Sequence, residues 1–353
     1  MAGTIARRSL QERLDAGETI LCAEGYVLGL ARRGYVGTGV WTGQFMLDYP
    51  DVLTSMHYEF VHCGSDVVQA LQYYLHREKM REIGHEDNLE KINRVALRLA
   101  KEVANKTGTL FAGNICNTNI YKQNDDAIKQ EVRVMFDEQV RWAKEEGAEF
   151  IIGETYHWFE EAEIALEVIK SYDLPAIINF GVIVPTDGSE FNLLDSIPVG
   201  EACKILLDKG AYLVGANCTR GPEQMVEVIE HIVKFCPPEK VCALPLGYRT
   251  TKKEYPTLFA LRDDKCPENY KPYPHGLEAF GVSPVEIKKF TRQCLDLGLK
   301  FIGICCGNSG MLTNAMAREM GKTTTIVSRY HDPESKGTDP YKFVEINGTV
   351  PTK

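Results

Sequence analysis

The chain has 353 residues, of which 44% are hydrophobic and 25% charged, and its formal net charge is −9. An acidic balance of this size argues against a broad nucleic-acid footprint and against docking on anionic membranes. No apolar run is long enough to span a bilayer, the N-terminal stretch carries arginines without an apolar signal core, and 11 irregularly spaced cysteines do not form a disulfide framework. The expected setting is the reducing cytoplasm, where such cysteines stay free or bind metal.

Residues 8–16 read as a short amphipathic helix. Residues 19–25 follow as a buried strand ending on Glu24 and Gly25. The glycine-dotted loop at 33–41 looks superficially like a dinucleotide fingerprint. Its glycine order is wrong, and no helix with a phosphate-facing N-terminus is expected directly after it. Pro50 opens a helix to about Cys63, and residues 67–74 are expected as a strand ending in Tyr73-Tyr74. Leu89, Ile92, Ala96, Leu99 and Val103 recur at helical spacing, which predicts a helix over 86–106. Strands are expected at 109–116, 149–154, 175–180, 212–218, 240–246 and 301–306. Helices are expected at 125–146, 159–171, 200–208, 223–235, 284–297 and 312–320. A Pro- and Tyr-rich loop at 247–282 is the largest irregular insertion, and loops of that length are usually functional.

Eight strands, nearly all apolar throughout rather than alternating, suit a parallel sheet buried on both faces. Helices that end on Gly147, Gly210 and Gly298 lead within a few residues into the next strand. This repetition predicts an α/β fold, a (β/α)8 TIM barrel, as a single domain over 1–321 with a polar tail over 322–353. Chemistry in such barrels sits at the C-terminal strand ends. Glu24, Tyr74, Glu154, Cys218, Cys305 and Cys306 all fall there.

Two strand ends carry the cysteines. Gly215-Ala216-Asn217-Cys218 closes one strand, and Gly303-Ile304-Cys305-Cys306-Gly307 closes another. Neighbours in a regular strand face opposite ways, so Cys305 and Cys306 can meet one ligand only if the chain turns, and Gly307 permits that turn. Three thiolates with an open fourth position are what a catalytic zinc requires. A buried cysteine can also be a small hydrophobic space-filler. Zinc bound by three thiolates is electron-rich and suits holding a substrate thiol as thiolate.

These two segments resemble the signature motifs of the zinc-dependent homocysteine S-methyltransferases, with the betaine–homocysteine S-methyltransferase branch nearest. The segments Arg33-Gly34-Tyr35-Val36, Val40-Trp41-Thr42 and Pro274-His275-Gly276-Leu277-Glu278 resemble that branch as well. The resemblance implies one zinc on Cys218, Cys305 and Cys306 and methyl transfer to homocysteine, giving methionine. It places homocysteine on Glu24, Gly25 and Glu154. Glu24 stands where relatives have the shorter Asp. It puts Trp41 and Tyr74 around an onium donor, whose methylated head lacks hydrogen-bond donors and is met by aromatic faces. After Glu154 the branch has a tyrosine, whereas this chain has Thr155 and then Tyr156, which leaves open a sulfonium in place of glycine betaine or a related methylated amine. Cys116 and His157 are expected as core or rim residues. The expected partners are small molecules, with no nucleic acid and no membrane, and any homo-oligomer is expected to use other surfaces than a long C-terminal arm. A non-catalytic zinc- or thiol-responsive barrel is the competing class, and a metal-dependent lyase is disfavoured by the lack of a His-carboxylate cluster among the 8 histidines.

Overall fold

A computed structural model describes residues 7–37, 42–183, 191–252, 254–263, 265–267 and 270–322. Eight parallel strands close into a barrel in sequence order: β1 (Ile20–Ala23), β2 (Val67–Gln69), β3 (Leu110–Cys116), β4 (Phe150–Tyr156), β5 (Ala176–Phe180), β6 (Leu213–Asn217), β7 (Val241–Leu244) and β8 (Phe301–Ile304). The barrel closes where β1 pairs with β8, Ile20 opposite Phe301 through Ala23 opposite Ile304. This is the expected (β/α)8 architecture.

The strands are apolar on both faces because each face has its own core. Ile20, Cys22, Phe150, Ile152, Ile177 and Phe301 pack inside the barrel. Their neighbours Leu21, Ile151, Ile178 and Ile302 pack outward against the helices. Two glycines let strands approach at close quarters. A Cβ on Gly215 would lie 2.1 Å from the Cys242 carbonyl oxygen, and one on Gly303 would lie 2.1 Å from that of Cys22.

Twelve α-helices are found among the described residues: α1 (Leu10–Asp15), α2 (Tyr26–Arg32), α3 (Thr42–Asp48), α4 (Pro50–His62), α5 (Arg77–Glu82), α6 (Leu89–Thr107), α7 (Asp126–Glu146), α8 (Phe159–Ser171), α9 (Val199–Asp208), α10 (Pro222–Ile232), α11 (Pro284–Asp296) and α12 (Gly310–Glu319). The helix-ending glycines adopt left-handed backbone, φ 87° at Gly147, 95° at Gly210 and 93° at Gly298, which places the next strand directly after the turn. The start of α11 carries a capping box, in which Ser283 and Glu286 satisfy each other's backbone amides.

The structure departs from the sequence reading at the second strand and at three short helices. The second strand stops at Gln69, and residues 70–74 turn instead of extending it, with Tyr74 at φ 59°. Short helices α2, α3 and α5 occupy segments to which the sequence pattern assigns no element, because six or seven residues are too few to show a helical period. Helix α3 follows the glycine-dotted loop at Thr42. That loop still departs from a dinucleotide fingerprint, because it follows helix α2 rather than a strand. The 247–282 insertion has its ends pinned by an antiparallel bridge between Tyr248 and Gly281. Its Tyr248, Leu258, Leu261 and Leu277 form a small core with Leu28 and Leu246 over the barrel mouth. No helix among the described residues is long and apolar enough to cross a membrane.

Candidate active site

The three cysteines converge. After β6 the chain turns through Cys218 and Thr219, both left-handed at φ 56° and 58°, while the Cys218 amide still donates to Leu244 O at 2.9 Å. After β8 the Cys305 amide donates to Pro245 O at 2.8 Å, Cys306 O accepts from Gly247 N at 2.8 Å, and Asn308 N turns back to Cys305 O at 3.1 Å. Gly307 makes this turn at φ 85°, and a Cβ there would lie 2.4 Å from the Tyr248 ring. The sulfurs of Cys218, Cys305 and Cys306 all lie within 4.8 Å of one another. A tetrahedral zinc with Zn–S bonds of about 2.3 Å needs sulfurs about 3.8 Å apart, so a modest side-chain adjustment suffices. Hydrogen bonds from Cys305 and Cys306 hold the Cys218 thiol well below the usual thiol range. The same contacts push Cys305 and Cys306 up. Of the three sulfurs, Cys218 is the one whose surroundings most favour the deprotonated form, which is the form that binds metal.

Two buried carboxylates sit beside the sulfurs. Oxygens of Glu24 and Glu154 lie within 4.8 Å of each other and of Cys305 Sγ. Glu24 follows β1, where its amide donates to Ile304 O at 2.9 Å and its carbonyl accepts from Asn308 Nδ2 at 3.1 Å. Gly25 is left-handed at φ 90°, and a Cβ there would lie 2.5 Å from the Cys305 carbonyl oxygen. Glu154 Oε1 accepts from Gln69 Nε2 at 2.8 Å and from Asn114 Nδ2 at 2.7 Å, and its Oε2 accepts from Asn217 Nδ2 at 2.9 Å. Burial, then the charge interaction with Cys218, pushes Glu154 up to about 7, against the pull of those hydrogen bonds. Burial and the facing Glu154 push Glu24 well up.

Asn217 joins the two groups. Its Nδ2 also donates to Thr155 Oγ1 at 2.9 Å and reaches Cys305 Sγ at 3.7 Å, and its Oδ1 accepts the Thr155 amide at 2.8 Å. That amide contact holds Thr155 at φ 61°. Four buried acceptors around this hub have no hydrogen-bond partner: Glu24 Oε2, Gln69 Oε1, Asn114 Oδ1 and Asn117 Oδ1. All four residues line one cavity of about 290 Å³, together with the three cysteines. Unpartnered buried acceptors are costly, and here they converge where a cationic donor group would satisfy them.

The other wall of the cavity is aromatic. Tyr73 and Tyr74 pack with ring centroids 4.4 Å apart, and Phe259 and Tyr273, from the 247–282 insertion, pack edge-on at 4.9 Å. Among the described lining residues there is no lysine or arginine. His157 also lines the cavity, and its Nδ1–H donates to Gly181 O at 2.6 Å. Neutral imidazole so fixed keeps Nε2 as an acceptor. Burial holds His157 below its ordinary range.

Of the residues named from sequence, Glu24, Gly25, Tyr74, Glu154, Thr155, Cys218, Cys305 and Cys306 line this cavity. Trp41 lies outside the described residues. Tyr156 does not line it. The pairing of β4 shifts between Gly153 and Tyr156, and Tyr156 faces outward, edge-on to Phe136 at 6.0 Å within the helix-side core. Gln69, Asn114, Asn117, Asn217, Phe259 and Tyr273 went unnamed. Their one signal was polarity inside apolar strands, as in Gln69, Asn114 and Asn217, since a buried polar side chain requires a partner or a ligand.

Comparison with known proteins shows the family. A sequence model of the homocysteine S-methyltransferase family matches residues 25–320. S-methylmethionine–homocysteine S-methyltransferase BHMT2 of Pongo abelii is 31% identical over 322 residues, covering 89% of this chain and 82% of that protein. Betaine–homocysteine S-methyltransferase 1 of Xenopus laevis is 31% identical over 328 residues, covering 91% and 77%. The metallated homocysteine methyltransferase MmuM of Escherichia coli shares the fold, with a TM-score of 0.65 at 16% identity over 86% of this chain and 98% of that one. The chain therefore belongs to the homocysteine S-methyltransferase family.

Proposed function

We propose that this protein moves a methyl group from an onium donor to the sulfur of homocysteine, giving methionine, with zinc held by Cys218, Cys305 and Cys306. The observation that carries the reading is the three-sulfur cluster set against two buried carboxylates and four unpartnered oxygens in one cavity. That combination fits an amino acid bearing a thiol at one end and an ammonium at the other. Zinc bound by the three cysteines would keep the homocysteine sulfur deprotonated at neutral pH.

The chain's own residues supply the rest. Glu24 and Glu154 take the ammonium, with Gln69, Asn114 and Asn217 fixing Glu154 from both oxygens. Gly25 leaves room for the backbone to pass Cys305. Tyr74, with Tyr73, Phe259 and Tyr273, presents aromatic faces to the donor's methylated head, and Trp41 is assigned to the same cage. Thr155 orders the floor through Asn217. As the sulfur lone pair forms the new C–S bond, the methyl carbon's bond to donor nitrogen or sulfur breaks. Its electrons stay on the departing neutral amine or sulfide. Positioning within a cavity closed by the 247–282 insertion is the main contribution of the protein.

The donor divides into two readings. Both donors carry a carboxylate, but glycine betaine is a net-neutral zwitterion, and the described lining holds Glu24 and Glu154 with no lysine or arginine. A sulfonium amino acid such as S-methylmethionine is net positive, which suits the acidic cavity, and Thr155 replaces the branch's tyrosine. Purified protein assayed with homocysteine and each donor tests both readings. Methionine formed from a betaine or a sulfonium selects the donor. Zinc binding without homocysteine binding or turnover from any donor would leave the non-catalytic barrel instead.

A further inference from the structure

We propose that Cys116 is a positioning residue for the donor end of the cavity: its sulfur accepts the Tyr74 amide and holds Tyr74 in the left-handed conformation that presents it to the site. The proposal rests on Tyr74 contacting the donor, as read above. The Tyr74 amide donates to Cys116 Sγ at 3.3 Å, and Tyr74 sits at φ 59°. A residue with a Cβ is held there only when its surroundings impose it.

The surroundings explain why a side chain must serve as acceptor. In the 70–75 turn, Ala70 O takes the Gln72 amide and Gln72 O takes the Leu75 amide. Gln72 O and Leu75 O also accept from the buried Gln139 Nε2, at 3.1 and 3.3 Å. Gln72 is fixed in turn by its Oε1, which accepts the Asn114 amide at 3.1 Å, and by its Nε2, which donates to Asn93 Oδ1 at 3.0 Å. The turn is rigid, and the acceptor left for Tyr74 is the thiol at the end of β3. Cys116 pairs with Glu154 in the barrel register, so this thiol lies beside the strand whose carboxylate takes the substrate ammonium and accepts from the aromatic wall. It is 1% exposed, and burial keeps it protonated, a neutral acceptor. The Tyr74 ring is boxed by Tyr73, by His76 edge-on at 6.2 Å and by Lys79 Nζ 5.7 Å from the centroid. A shift in the backbone of Tyr74 therefore moves a packed aromatic unit. Cys116 acting only as a filler of space would not need to accept the Tyr74 amide.

Three substitutions separate these roles. Cys116→Val keeps approximate volume and removes the acceptor, Cys116→Ala removes both, and Cys116→Ser keeps an acceptor. Val and Ala are expected to raise the donor KM about tenfold, the scale of an aromatic–cation contact, with homocysteine KM and zinc content within about twofold of wild type. Ser is expected to restore the donor KM. Crystal structures of Cys116→Val, or of Cys116→Ala should Val not fold, are expected to show Tyr74 leaving positive φ. An unchanged donor KM, an unchanged Tyr74 φ, or a Ser variant as impaired as Val would overturn the proposal. Tyr74→Ala distinguishes the two levels. If it raises the donor KM while Cys116→Val does not, this inference alone fails. If it leaves the donor KM unchanged, the reading of the donor wall fails as well.

Discussion

The two ends of the barrel treat their polar groups in opposite ways. At the N-terminal end, Asp66 is saturated: Oδ1 accepts from Arg13 at 2.6 Å, and Oδ2 accepts the Leu21 amide at 2.7 Å and Lys322 Nζ at 2.6 Å. Glu149 likewise accepts the Phe111 amide at 3.0 Å and pairs with Arg7. At the C-terminal end, four buried acceptors stay unpartnered, and Tyr74, Thr155, Cys218 and Thr219 adopt left-handed backbone. One end spends its polar groups on closing the structure. The other keeps strain and unsatisfied capacity, which are costs to stability that binding can offset. Breaking each end should therefore damage a different property.

The largest effect is expected from Cys305→Ser. Removing a metal ligand should cost more than the tenfold to hundredfold typical of groups behind the ligands. Turnover should fall at least about a hundredfold and bound zinc with it, while circular dichroism stays native. Wild-type turnover or full zinc content in this variant would contradict the three-sulfur site. At the opposite end, Asp66→Ala should destabilise by about 2–4 kcal/mol, because it leaves the Leu21 amide and the Lys322 ammonium without this acceptor and leaves Arg13 with Glu18 alone. Urea unfolding measures this, and turnover per folded molecule should be unchanged. A large loss of turnover at full folding would show that the ends are not separable.

Glu154→Gln falls between these. It keeps the shape of the Asn217 hub but removes one charge from the proposed ammonium site. Homocysteine KM should rise about ten- to a hundredfold, the scale of a lost charge-assisted hydrogen bond. Donor KM should move little. A change confined to donor KM would reassign Glu154 to the other half of the cavity.

The contrast between the ends also explains what the sequence reveals. Strands buried on both faces leave continuous apolar runs, so all eight were legible, and helix α8 spans Phe159–Ser171 as its pattern predicts. The cysteines were legible because their spacing to glycines announces a turn. Tyr156 was misplaced because the shift in β4 follows from Thr155 being left-handed, and that conformation is imposed by Asn217, 62 residues away. The second strand was overextended through Tyr74 for a related reason. The turn at 70–74 is held by Gln139, Asn93 and Cys116, none of them local. Phe259 and Tyr273 reach the site from an insertion with no periodic pattern to read. What stayed hidden was whatever long-range polar contacts decide.

The smallest expected effect concerns a buried carboxyl at the functional end whose Oε1 takes two donors. Glu161, in the first turn of α8, accepts Thr118 N at 2.7 Å and Thr118 Oγ1 at 2.6 Å. It is 1% exposed, and burial outweighs these bonds, pushing its carboxyl up to about 7 from an ordinary 4.5. The folded protein then holds this proton more tightly than the unfolded chain does. Its contribution is therefore fully present below about pH 4.5 and is lost as pH rises through about 7. One such proton gives a slope of at most about 1.4 kcal/mol per pH unit across that window. Glu161→Gln keeps an oxygen for Thr118 and removes the titration, so its urea midpoint should fall less between about pH 5 and pH 7 than that of the wild type. Equal slopes would mean that the two Thr118 bonds hold Glu161 ionised, and that this carboxylate behaves like the saturated end of the barrel rather than the strained one.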